Sequence, residues 1–225
     1  MAPPGRVNTP PSITPSSIAF VRGAACVGAA IPAGWLAALL ARLAAAVRLR
    51  LAPVVVAMVV AFAWAAVRGP PDWPLLTISL GLGWCLIGLA AVDLAAFRLP
   101  DSFTLPLLAA GLVVASLLPE RPVVDHLVGA GLGWGGLAAL AWAWRRWRGV
   151  DGIGLGDAKL LGAAGAWLGW SALPSVLLIA CGVAFVWVGA RVARGGALAS
   201  RQRIAFGAPL CLAIWAVWLE GPLVV

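Results

Sequence analysis

Runs of Ala, Leu, Val, Ile and Trp fill most of the chain after residue 18, and each run is closed by a short group of Pro, Gly or charged residues. A bilayer leaves no water to satisfy exposed backbone groups, so the natural unit is a helix of about 20 apolar residues. On that basis the pattern predicts helices over residues 20–41, 51–67, 75–97, 103–118, 123–144, 158–169, 173–192 and 206–219. The breakers between them are plain: Gly69 to Pro74, Pro119 to Pro122, and Gly169 to Pro174, which divides a run too long for one crossing. Asp101 or Ser102 suits the N-cap of the helix that follows. Gly129, Gly131, Gly133, Gly135 and Gly136 would let a neighbouring helix approach the helix at 123–144 closely. Residues 1–17 hold five prolines with Ser, Thr and Asn and too little apolar surface to fold, so a disordered tail is expected there rather than a signal peptide. The expected architecture is all-α, a polytopic membrane protein of about eight transmembrane helices, with residues 18–225 forming one domain.

Charge adds an orientation. Only 11% of the residues are charged against 63% hydrophobic, and the formal charge is +8. No basic stripe interleaved with aromatics stands outside the apolar runs, so no nucleic-acid partner is expected and the arginines read as topology signals. With eight crossings and the N-terminus outside, all 16 basic residues except Arg6, Arg22, Arg68 and Arg121 fall on the cytoplasmic side. Were 158–193 a single crossing, Arg191, Arg194, Arg201 and Arg203 would face the other way, which supports the break at Gly169.

Cys26, Cys85, Cys181 and Cys211 are dispersed singly in apolar runs, with no C-x-x-C pair. They read as small buried packing residues, and neither a metal site nor a cofactor is expected. The one histidine, His126, follows Asp125 at a helix start and reads as an interfacial polar residue.

The eight acids narrow the chemistry. Asp72, Glu120 and Glu220 belong to turns or the C-terminal end, where a hydrated carboxylate needs no further explanation. Asp93 follows an almost unbroken apolar run and sits at shallow membrane depth, where ionisable groups are costly and are by default functional candidates; pairing with Arg98 is the plain alternative. Asp157 follows Gly154-Leu155-Gly156, whose glycines let an extended chain approach the acid closely; capping its helix or pairing with Lys159 is the plain alternative. The topology puts both acids near the cytoplasmic face. Two carboxylates meeting in a partly desolvated site do not easily both ionise, so one proton is shared. That is the apparatus of aspartyl proteolysis, in which one carboxylate deprotonates water and the other protonates the amide carbonyl.

Three stretches then resemble the type IV prepilin peptidases, membrane members of the Gly-x-Gly-Asp aspartyl proteases. Val92-Asp93 through Leu99-Pro100-Asp101-Ser102-Phe103-Thr104-Leu105-Pro106 is similar to the family's I-D-x-x-x-x-x-L-P-D-x-x-T-L-P segment. Gly152-Ile153-Gly154-Leu155-Gly156-Asp157-Ala158-Lys159-Leu160-Leu161, continuing to Gly165-Ala166-Trp167-Leu168-Gly169-Trp170, resembles its G-x-G-x-G-D-x-K-L-L and G-A-W-L-G-W segments. Ile204-Ala205-Phe206-Gly207-Ala208-Pro209-Leu210 is a degraded version of its I-P-F-G-P-F-L. The resemblance implies that Asp93 and Asp157 are the catalytic aspartates, with Gly154, Gly156, Lys159, Asp101, Phe206 and Gly207 shaping the site or binding substrate. It further implies cleavage of basic leaders from type IV prepilins or type II secretion pseudopilins, at the cytoplasmic face of the bacterial inner membrane. Many family members also carry paired C-x-x-C zinc motifs associated with methylating the new N-terminus from S-adenosylmethionine. Here the stretch from Arg42 to Arg50 contains no cysteine, which argues against both zinc and methyl transfer.

A different class, a small transporter or proton-coupled carrier, also uses intramembrane acids and broken helices. It would give proton or solute flux without a cleavage product, and no internal repeat supports it. A catalytically retired homologue acting in pilus assembly is disfavoured by retention of both acids.

Overall fold

The computed structural model describes residues 51–68, 73–117, 122–149, 152, 154–195 and 205–223. The expected tail at 1–17 and the expected helix at 20–41 lie outside the described residues. Seven helices and no strand occur among the described residues: α1 Leu51–Arg68, α2 Trp73–Ala96, α3 Asp101–Leu117, α4 Val123–Arg148, α5 Leu155–Leu168, α6 Leu173–Ala193 and α7 Gly207–Glu220. Three of them, α2, α4 and α6, are long and apolar enough to cross a membrane. Much of the outer surface is apolar, with Val56, Val60, Trp142, Phe185 and Val186 well exposed, as a lipid-facing surface requires.

At the centre stands α5, with Ala158 and every residue from Leu160 to Trp167 buried. Small residues make this possible. Backbone approaches backbone where Gly129 and Gly133 of α4 meet Gly165, Leu161 and Gly162 of α5; a Cβ on Gly129 would stand 2.7 Å from the Gly165 carbonyl oxygen, and one on Gly133 would collide with that of Leu161. Gly131, Gly135 and Gly136 have open space around them, so only two of the five expected glycines serve close packing. On the other side, the Trp167 indole N–H donates to the Leu107 carbonyl of α3 at 2.8 Å, and Gly111 makes room for the ring.

The polar ties at one end of the bundle are structural. Glu220 accepts from the Trp64 indole at 2.9 Å and from Arg68 at 3.1 Å, joining α7 to α1. This corrects the reading of Glu220 as a simply hydrated acid. Trp218 donates to Ser79 at 2.8 Å, and Ser79 passes the bond on to the Leu75 carbonyl. His126, in the first turn of α4, is buried, with Nδ1 2.9 Å from the Ala166 carbonyl of α5. Of the cysteines, Cys211 is buried as expected while Cys85 and Cys181 are exposed, and Cys26 lies outside the described residues.

Boundaries shift in three informative places. The basic residues Arg145, Arg146 and Arg148 extend α4 by a further turn, favourable for cations at a helix C-terminus. α5 starts at Leu155, so Gly156 and Asp157 are in its first turn rather than before it. α3 starts at Asp101 with the Pro100 carbonyl accepting from Thr104 N–H at 3.2 Å, so Pro100, not Asp101 or Ser102, takes the cap position.

Candidate active site

The C-terminal end of α2 and the N-terminal ends of α3, α5 and α7 meet at one end of the bundle. Asp93 projects from the last turn of α2 and is only 5% exposed. One carboxylate oxygen, Oδ2, accepts the backbone N–H of Ala208 at 3.1 Å, and the N–H of Gly207 also bonds to the carboxylate. Both donors belong to the first turn of α7, where helix N–H groups have no intrahelical partner. Asp93 is thus partnered by backbone while Arg98 is exposed, and the plain reading of an Arg98 pair does not describe it. Gly207 is buried directly against the acid: a Cβ there would stand 2.8 Å from Oδ2.

Four residues after Asp93 the chain leaves the helix through Phe97, whose φ of 52° is the one positive value among described non-glycine residues. Its N–H closes the turn onto the Asp93 carbonyl at 2.8 Å. This left-handed cap reverses the chain so that Leu99 falls back between the two glycine-bearing helix starts. A Cβ on Gly156 would stand 3.0 Å from Leu99 Cβ, and one on Gly207 would stand 3.0 Å from Leu99 Cδ1.

Asp157 occupies the first turn of α5 and is half-buried. Gly154 takes the N-cap position with no side-chain capping bond, so Asp157 does not cap the helix. Lys159 does not pair with it either. The lysine is taken by Asp101 of α3, with Nζ 2.7 and 2.6 Å from the two carboxylate oxygens. Both plain readings of Asp157 are thereby set aside. Its carboxylate lies over Gly154, where a Cβ would stand 3.0 Å from Oδ2. Asp93 is near enough that its charge acts on Asp157, and the charges of both act on the buried thiol of Cys211.

Each residue singled out from the sequence therefore falls at this end of the bundle. Asp93, Asp157, Gly154 and Gly207 surround the carboxylates, Gly156 packs on Leu99, and Asp101 and Lys159 tie α3 to α5. Phe206 holds the cap position of α7 and is half-buried. Three contributors were not anticipated. Cys211 lies one turn beyond Gly207 on the same helix face, a spacing that would have placed it; Leu99 stood unremarked inside a matched segment; and the role of Ala208 is played by its backbone, which no side-chain pattern reports. Among the described residues no three His, Cys, Asp or Glu side chains gather as metal ligands. A separate groove, lined by residues including Pro122, Asp125, His126 and Trp218, lies at the opposite end of the bundle.

An all-helical membrane bundle that brings two acids from separate helices together at one end defines the class: a membrane protein with a paired-carboxylate site. Residues 80–189, which include both acids, match the model of the Type IV leader peptidase family, and the chain belongs to that family. The prepilin leader peptidase/N-methyltransferase of Aeromonas salmonicida (strain A449) is 37% identical over 152 residues, 67% of this chain and 51% of the relative. That of Burkholderia pseudomallei (strain K96243) is 42% identical over 129 residues, 57% of this chain and 41% of the relative. That of Klebsiella pneumoniae is 42% identical over 110 residues, 49% and 48% of the two chains. The chain thus spans about half the length of the curated relatives it matches. No solved structure matches it.

Proposed function

We propose that this protein is an intramembrane aspartic endopeptidase that removes the leader from type IV prepilins or type II secretion pseudopilins, using Asp93, Asp157 and one water. The observation that carries this reading is that the acids of α2 and α5, both within the stretch that matches the peptidase family, come to the same end of the bundle, with Leu99 packed both on Gly156 next to Asp157 and on Gly207 against Asp93. The names of the relatives supply the substrate class.

In the reaction, one carboxylate takes a proton from water as the water oxygen bonds to the scissile carbonyl carbon. The other donates its proton to the carbonyl oxygen. When the C–N bond breaks, the first returns its proton to the amine and the second recovers one from the collapsing diol, restoring the starting state. Gly154, exposed beside Asp157, leaves the flank of the acid open to an extended substrate backbone, while Gly156 admits Leu99, and Phe206 and Gly207 border the site from α7. The Asp101–Lys159 pair holds the starts of α3 and α5 in register beside it. The working unit is the single domain of residues 18–225 in the bacterial inner membrane, with eight crossings, an external N-terminus and the site toward the cytoplasm. Methyl transfer is not extended from the relatives' names to this chain, since the stretch Arg42 to Arg50 lacks cysteine. The mature pilin is expected to carry an unmodified N-terminal amine by mass spectrometry.

Co-expression with a prepilin tests the reading. The wild-type chain is expected to convert precursor to mature pilin on a gel, whereas Asp93→Asn and Asp157→Asn, present in the membrane at normal levels, leave the precursor intact. Cutting by either variant at the wild-type rate would falsify the assignment.

A further inference from the structure

The two carboxylates are not equivalent in their surroundings. Asp93 faces the start of α7 and receives the N–H of Ala208 at 3.1 Å together with that of Gly207. Pro209 follows and has no N–H, so these two donors are the ones the first turn can direct at the acid. The positive end of a 14-residue helix lies behind them. Asp157 stands at a helix start too, but within its own first turn and over Gly154; among the described residues no backbone or side-chain donor bonds to its carboxylate. The titratable groups near Asp93 are Asp157 from α5 and the Cys211 thiol from α7. Lys159, the cation nearest in sequence to Asp157, is held by Asp101 at 2.6 Å.

Burial disfavours charge on both acids, but among the described residues only Asp93 has fixed N–H donors to offset it, so a dyad that shares one proton carries it on Asp157. We propose that Asp93 is the general base that deprotonates water, that Asp157 carries the proton donated to the carbonyl oxygen, and that the backbone N–H of Ala208 is the positioning group that sets this division. The assignment rests on the peptidase reading above and deepens it. The N–H also fixes the direction of the acid, since it holds Oδ2 against the start of α7 at 3.1 Å. The proton count is unchanged, since Asp93 begins charged and Asp157 neutral, and both return to that state after release of the amine.

The test removes the N–H and reads the pH dependence of kcat/KM, with the full chain in lipid nanodiscs and a synthetic prepilin segment as substrate. Ala208→Pro takes away the donor at a first-turn position where proline is tolerated. Incorporation of the α-hydroxy analogue of alanine at 208, which replaces the amide by an ester, does the same without a ring and covers the case of a misfolded proline variant. Without the donor, a larger share of Asp93 is protonated at low pH. The acidic limb of the profile is therefore expected to move to higher pH by roughly one unit, with kcat reduced more than KM is raised. Ala208→Gly keeps the N–H and is expected to hold the limb at the wild-type position. A limb that stays in place in the ester variant overturns the role of Ala208 and with it the division of labour. Failure of the wild-type chain to cut, or cutting by Asp93→Asn or Asp157→Asn at the wild-type rate, overturns the peptidase reading itself, so the two failures are told apart.

Discussion

A methyl group at Gly207 would stand 2.8 Å from Oδ2 and 2.9 Å from Cγ of Asp93, closer than real Cβ contacts come. Asp93 is a short side chain in a helical turn and has little room to retreat, so Gly207→Ala is expected to push its carboxylate off the Ala208 N–H. Displacements of that size in a positioned catalytic group cost on the order of 100-fold in rate. The measurement is prepilin conversion by membranes containing equal amounts of each variant, and Gly81→Ala, on α2 with nothing within 4 Å, is expected to cut normally. The Asp101–Lys159 pair is a different case. Asp101 is 57% exposed at the side chain and Lys159 23%, so solvent screens the pair and a double-mutant cycle of Asp101→Asn and Lys159→Met is expected to give a coupling of only about 0.5–1 kcal/mol in thermal unfolding. Its value lies in holding the starts of α3 and α5 together, so conversion is expected to fall several-fold in either single variant while the unfolding midpoint barely moves. Near-normal conversion by both would remove the pair from the site. These residues illustrate what a sequence carries well. Asp93 and Asp157 stood out because an ionisable side chain beside an apolar run is chemically conspicuous, and Asp101 and Lys159 only through the family resemblance, whereas Ala208 acts through an N–H that every non-proline residue has.

At the scale of elements, the packing of α4 on α5 separates glycines that look alike in the sequence. Gly129 and Gly133 face backbone, and adding a methyl there requires the helices to part; overpacking of this kind costs about 1–3 kcal/mol. Gly131, Gly135 and Gly136 have no atom within 4 Å of an added Cβ, and alanine there is expected to stabilise by up to about 1 kcal/mol through helix propensity. Thermal unfolding of the detergent-solubilised chain, following α-helical ellipticity, is expected to rank Gly133→Ala and Gly129→Ala below wild type and Gly135→Ala at or above it. The reverse order would mean that this pair of helices does not pack as described. Element positions were readable for the same reason that this detail was not. Apolar run length and Pro/Gly punctuation mark where a helix runs, and every described helix lies within a few residues of its expected range. Which of five glycines on one helix meets a neighbour depends on rotation about the helix axis, and in a run that is apolar on every side nothing in the sequence distinguishes the faces. The start of α5 slipped for a related reason: Gly154-Leu155-Gly156 reads as loop, but Gly154 is the extended N-cap residue and only Gly156 of the two glycines lies inside the helix.

The whole molecule poses one question of scale. At about 1.5 Å per residue, α5 with its 14 residues is about 21 Å long, short of a hydrocarbon core of about 30 Å. A helix exposed to lipid could not end there without stranding its terminal carbonyls. α5 is not so exposed: nearly all of it is buried among α3, α4 and α7, and its C-terminal end is met by protein. Trp170 N–H donates to the Asp125 carbonyl at the start of α4 at 3.2 Å, and Gly169 N–H closes onto Gly165 at 2.9 Å. The chain then enters α6 within a few residues, a 21-residue helix whose length and composition suit a full crossing. In the proposed topology α5 and α6 are two passes, a short one through protein and a long one through lipid, and the arginines at 191 and 194 return to the side from which α5 set out. This gives a definite expectation for labelling with a membrane-impermeant maleimide, using a parent in which all four native cysteines are replaced and which still accumulates in the membrane. Ser171→Cys, exposed at the α5–α6 turn, is expected to react in intact cells. Arg194→Cys, exposed at the end of α6, is expected to react only after the membrane is opened. Labelling of both from the same side would remove one crossing, put the last four basic residues before α7 on the outer face, and break the charge asymmetry from which the orientation was read.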